Sequence, residues 1–220
     1  MAPAANGAAF AAGQQTIFLT IAEFGAAGRD LVIAFAEDAS GNAVPVAVTG
    51  IAPNSNLYID ADGNWPQTVY CPAYLRRYPF YTLRLEDGQS ERFLVCVDES
   101  ALAPASRPLL DAAGKPTEAW VVRERFLRDV DAAQQRTVAF CTRLKELDLL
   151  EAFEADLTLH GDKPQRLTGL QRVSEERLNA LDGAEIKAMI RAGHLAAAYQ
   201  HLSSLANFNR LLDRQALARS

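Results

Sequence analysis

Two rhythms of apolar residues divide this chain of 220 residues. In the first part they fall in short runs, at 31–35, 44–51, 57–59, 81–85 and 93–97. Between the runs stand Asp38-Ala39-Ser40-Gly41-Asn42, Asp60-Ala61-Asp62-Gly63-Asn64 and Asp87-Gly88-Gln89. Short apolar runs joined by Gly/Asp/Asn clusters predict antiparallel hairpins or a meander. Pro45 has no N–H to give a ladder, so its run is expected at a sheet edge. Upstream, Thr20-x-x-Glu23 has the spacing of a capping box and predicts a short helix that Gly28 stops.

Beyond residue 116 the period lengthens. Trp120, Phe126, Val130, Thr137, Phe140 and Leu144 recur at steps that place them on one helix face, as one long helix or two stacked pieces, with Pro116 in the first turn. The runs 153–159 and 166–173 flank His160-Gly161-Asp162-Lys163, which reads as a further hairpin. Ser174 is placed to cap the next helix, Gly183 and Gly193 punctuate two more, and Leu195, Leu202, Leu205 and Leu212 form a last apolar stripe. The pattern predicts an α+β fold: an N-terminal antiparallel β-sheet with one short helix, then a mainly helical C-terminal half with a small β-hairpin. The expected organisation is a flexible tail at 1–13, a β-rich half at 14–103, a linker-like stretch at 104–116 and a helical half at 117–220, all in one compact domain.

Composition narrows the classes. A chain with 22% charged and 49% hydrophobic residues is ordinary for a globular protein. Its net charge of −5 argues against a general nucleic-acid binder. Cys71, Cys96 and Cys141 form no C-x-x-C pair, which fits a reducing compartment and argues against structural zinc. The N-terminus lacks a signal-peptide pattern and no stretch is apolar enough to span a membrane. A cytoplasmic location is expected, including a position peripheral to the inner membrane.

The chemistry concentrates in Tyr70-Cys71-Pro72-Ala73-Tyr74-Leu75-Arg76-Arg77-Tyr78-Pro79-Phe80, with Trp65 just upstream. Proline is excluded from helix interiors and central strands, so a stiff, extended segment is expected, with Arg76 and Arg77 facing opposite ways. Guanidinium groups beside aromatic rings suit recognition of carboxylates, phosphates or a partner chain. Trp65, Tyr74, Arg76, Arg77 and Tyr78 form the expected recognition surface, with Asp98 and Glu99 as orienting partners. The structural alternative pairs one arginine with Asp98 or Glu99 and buries the rings in the sheet.

This segment is also the most specific part of a resemblance that runs from about residue 14 to 212. It is similar to the core of the bacterial SapC-like family, named for a component tied to surface-layer protein secretion. Thr20-Ile21-Ala22-Glu23-Phe24, Leu31-Val32-Ile33-Ala34-Phe35, Cys96-Val97-Asp98-Glu99-Ser100, the stretch 169–181 and Tyr199-Gln200-His201-Leu202-Ser203-Ser204-Leu205 resemble further blocks of that family in the same order. The resemblance implies a role in surface-layer or cell-surface protein export or modification, with a protein partner, and implies no particular reaction.

Other constellations are weaker. His160-x-Asp162, His201 and Arg210 follow the order of an iron and oxoglutarate site, but His201 lies in a strongly helical stretch where that site needs strands. His194 and His201 are about 10 Å apart along a helix, too far to share a metal, and a satisfied structural histidine is the expected role for His201. Asp60-x-Asp62-Gly63-Asn64 lacks the later carboxylate of a calcium loop. No catalytic residue, metal or cofactor is expected. The leading expectation is a non-enzymatic binding or accessory protein. The rival is an enzyme or enzyme subunit acting on a small molecule or peptide, with Arg76 and His201 facing each other in a pocket between sheet and helices. A structural oligomerisation module is the third reading.

Overall fold

The computed structural model describes residues 7–87, 90–101, 108–157 and 165–218. His160 and Asp162 lie outside the described residues, as do the centres of two expected turns, at 88–89 and 158–164. The architecture is α+β, as expected. Five strands, β1 (Thr16–Phe18), β2 (Val32–Glu37), β3 (Ala43–Val48), β6 (Leu150–Leu157) and β7 (Gln165–Val173), form one antiparallel sheet in the order β1-β3-β2-β7-β6. The hairpin expected in the C-terminal half therefore completes the N-terminal sheet. The remaining strands, β4 (Phe80–Asp87) and β5 (Ser90–Val97), form a separate two-stranded hairpin.

The helices are α1 (Phe24–Ala27), α2 (Ala73–Arg77), α3 (Glu118–Glu146), α4 (Glu175–Asn179), α5 (Gly183–Arg191), α6 (His194–Ser204) and α7 (Phe208–Leu217). The long amphipathic pattern is one helix, α3, whose Thr117 hydroxyl caps it by accepting from Trp120 N–H. Pro116 therefore falls before the cap and not in the first turn. Phe140 from α3 packs against Phe24 and Phe35, and β2 is buried from Val32 through Phe35.

Three local expectations change. Residues 57–59 form no strand: the Asn56 side chain accepts from Tyr58 N–H and folds the chain into a turn. The strand holding Pro45 is interior, between β1 and β2. Proline is tolerated there because β1 covers only the Val46–Val48 end of β3, so no ladder donor is required at Pro45. Ser174 stands at the start of α4, but its side chain makes no capping bond. The Asp/Gly clusters at 38–42 and 60–64 are turns as expected. Asp38 and Asp60 each accept from two backbone amides ahead of them, with Gly41 and Gly63 in the left-handed conformation that lets the chain reverse.

The hairpin β4–β5 is pinned to α3 through one face. Arg84 pairs with Asp131, Phe80 packs on Trp120, and Arg128 stacks over Phe93. Alternation along the strands turns Tyr81, Leu83, Leu85 and Leu94 to the other side.

Candidate functional site

The segment between the prolines is helical, which corrects the extended reading. Pro72 sits just ahead of α2, where its missing N–H is not needed, and the five residues to Arg77 carry no proline. Leu75 N–H and Arg76 N–H both donate to the Pro72 carbonyl. The Ala73 N–H, an orphan donor at the helix start, goes instead to the buried carboxylate of Glu23 at 2.6 Å. The other Glu23 oxygen accepts from Thr20 N–H and Thr20 Oγ1, and Tyr70 OH donates to Glu23 at 3.1 Å. One carboxylate thus ties the Thr20–Glu23 turn to the arginine segment. Burial and the adjacent Glu23 charge push the Tyr70 hydroxyl up to about 12, so it stays protonated and keeps donating.

Arg76 leaves α2 toward a groove. Its guanidinium donates to Tyr70 Oη at 3.1 Å and stacks over the rings of Tyr70 and Phe126, while its carbonyl accepts from Arg123. The groove has a volume of about 710 Å³ and is lined by Trp65, Val69, Cys71 and Leu75, with Arg76 and the Asp60 turn among its polar groups. Trp65, which forms part of it, stacks 5.2 Å from the buried ring of Tyr58, on which Arg214 also stacks. Its indole N–H donates to the Val69 carbonyl. Cys71 is the groove's thiol, and burial pushes it up to about 11. It should therefore alkylate with iodoacetamide at pH 8 much more slowly than a free cysteine, because the thiolate is the reactive form. A rate equal to that of free cysteine would contradict the buried geometry.

Arg77 goes elsewhere. Its guanidinium lies over Tyr74 at 5.0 Å and Tyr81 at 5.5 Å, and burial lowers its pKa. The expected pairing of an arginine with Asp98 or Glu99 is not formed. Asp98 accepts from Ser100 N–H, Ser100 Oγ and Tyr78 OH, while Glu99 is exposed in the 3-10 turn that follows. Tyr78 stacks on Phe10 at 4.2 Å. Among the described residues, neither Arg76 nor Arg77 has a carboxylate partner.

His201 is not part of this neighbourhood. It is 0% exposed and does not line the groove that holds Arg76. Nδ1 donates to the Ile33 carbonyl and Nε2 accepts from Val173 N–H, both at 3.0 Å. Strands β2 and β7 pair at Phe35 and Gln171, so Ile33 and Val173 would be the next ladder partners. The imidazole stands between them in place of the direct bond, and Ser204 Oγ accepts from Ile33 N–H beside it. Burial pulls the His201 pKa down to about 4, which leaves the ring neutral. His194 packs against Phe140, and no group of metal-binding side chains occurs among the described residues.

Sequence reasoning missed Tyr81, which completes the Arg77 cradle, and Tyr70 and Phe126, which hold Arg76. Tyr70 opens the aromatic run and Tyr81 directly follows it, so both carried a signal, whereas Phe126 reaches the site from α3.

Fold and site together describe an α+β protein that displays an arginine–aromatic segment anchored on its own N-terminal turn. The chain belongs to the SapC family, whose model matches residues 2–211. No curated protein and no solved structure matches it.

Proposed function

We propose that this chain is a non-enzymatic binding or accessory protein whose groove beside Trp65 and Arg76 holds part of a protein partner. In keeping with its family, the pathway is surface-layer or cell-surface protein export or modification, and the chain acts from the cytoplasmic side. The observation that carries this reading is Arg76 itself. Its charge is held in place by Tyr70 and Phe126 beside an apolar groove, and among the described residues no carboxylate pairs with it directly. A rigid guanidinium beside a large ring is the composition of a binding hot spot. The groove's own titratable groups favour recognition: Asp60 is committed to the amides of its turn, and the Cys71 thiol is protonated at neutral pH.

Arg76 is exposed, so Arg76→Ala should fold normally, with an unchanged melting temperature. Cross-linked capture from the native bacterium should then recover a specific export or surface-modification component with the wild type and lose it with this variant. An identical set of partners for both proteins would overturn the assignment of the groove.

A further inference from the structure

Folding alone gives no reason for the way Arg77 is held. Its Nε–H is closed off from solvent and has no hydrogen-bond partner. A buried donor left unpaired is destabilising, the more so when the group is charged. The flanking rings of Tyr74 and Tyr81 offset part of that by cation–π attraction, but among the described residues no carboxylate pairs with the charge. Asp98, near the same tyrosines, is occupied by Tyr78 and Ser100.

The second observation is the surface that continues from this cradle. Tyr81 shares a hairpin face with Leu83, Leu85 and Leu94, and the three leucines are 52%, 49% and 39% exposed. Leu83 and Leu94 are direct cross-strand neighbours, so the exposed apolar groups are contiguous. The opposite face is the one packed on α3, through Arg84 and Phe80. Arg92, opposite Leu85, adds a second positive charge farther along the hairpin.

We infer that the outer face of the β4–β5 hairpin seats a segment of a protein partner that presents a side-chain carboxylate to Arg77 and apolar side chains to Leu83, Leu85 and Leu94. This rests on reading the chain as a binding protein and specifies the partner's chemistry. A single guanidinium between two rings fits one carboxylate, and an apolar surround makes that pair stronger than it would be in water. The leucines contribute the apolar area that a lone ion pair lacks. The Arg76 groove and this face leave α2 in different directions, so one partner can span both or two can bind separately.

The test uses short, end-blocked peptide pools with apolar flanks and a central Glu, Gln or phosphoserine, titrated by fluorescence anisotropy. The Glu pool should bind the wild-type protein about tenfold more tightly than either of the others, as expected for one charge-assisted contact. Arg77→Met should abolish that preference while melting at the same or a higher temperature, since it removes an unpaired buried charge and keeps the packing. Leu83→Ser/Leu94→Ser should weaken all pools. Equal binding of the three pools by the wild type would overturn the inference. So would tighter binding of phosphoserine, or an Arg77→Met protein that melts lower and retains the Glu preference. Arg76→Ala capture judges the groove independently, so either proposal can fail while the other stands.

Discussion

Glu23→Gln is expected to lower the free energy of unfolding by about 3 kcal/mol, among the largest effects of any isosteric change in this chain. The carboxylate is buried and takes bonds from four donors: Thr20 N–H, Thr20 Oγ1, Tyr70 OH and Ala73 N–H. The amide keeps one acceptor oxygen and sets an NH₂ group against donors that need an acceptor. The loss should read out as a lower urea midpoint with an unchanged slope, because the same surface is exposed on unfolding. A second consequence is local. With Ala73 N–H released, the start of α2 frays, and the Arg76 and Arg77 stacks loosen with it. Thr20→Ala, which removes only one hydroxyl from the same carboxylate, should cost about 1 kcal/mol. If Glu23→Gln proved as mild as that, the carboxylate would not be what joins the two segments.

His201→Leu should cost a comparable amount, about 3–4 kcal/mol, since it leaves the Ile33 carbonyl and the Val173 N–H unpaired inside the sheet. His201 also makes stability depend on pH in a definite direction. The folded ring titrates near 4, below its ordinary value of 6.5, because burial disfavours the charged form. Between those values the unfolded chain binds a proton that the folded protein does not. The His201 contribution is therefore complete above about pH 7, falls as pH drops from 6.5 toward 4, and levels off below that. The total at stake is on the order of 3 kcal/mol. Urea midpoints at pH 7 and pH 4.5 should fall steeply for the wild type and much less for His201→Leu. Parallel decline in both proteins would assign the titration to other groups.

These two residues also mark the limit of what a linear reading reaches. Thr20-x-x-Glu23 was legible as a local cap, and the Glu23 carboxylate does bond Thr20 N–H. Its bonds to Tyr70 and Ala73 span 47 and 50 positions, and no periodicity carries that information. His201 was legible as a helical histidine with a satisfied structural role, and only the rival reading put it in a pocket. The space between Ile33 and Val173 that it fills exists only once β7 has joined β2. The candidate site divides the same way. Trp65 and Arg76 are brought to one groove, whereas Arg77, Tyr74 and Tyr78 form a separate cluster and Asp98 serves Tyr78 in place of an arginine.

The sequence by itself determined the elements whose causes are local. The Asp/Gly turns arise from side chains bonding amides a few residues ahead. The amphipathic period set α3, the alternating runs set the strands, and the α+β class followed from them. The helical turn between Pro72 and Pro79 and the interior place of β3 were settled by groups supplied from elsewhere, a carboxylate in one case and a short neighbouring strand in the other. Only the tertiary structure decided which strands share a sheet, which charges find partners and which do not. Those outcomes depend on distances between residues far apart in the chain, and for the same reason Arg77 finds no carboxylate among the described residues.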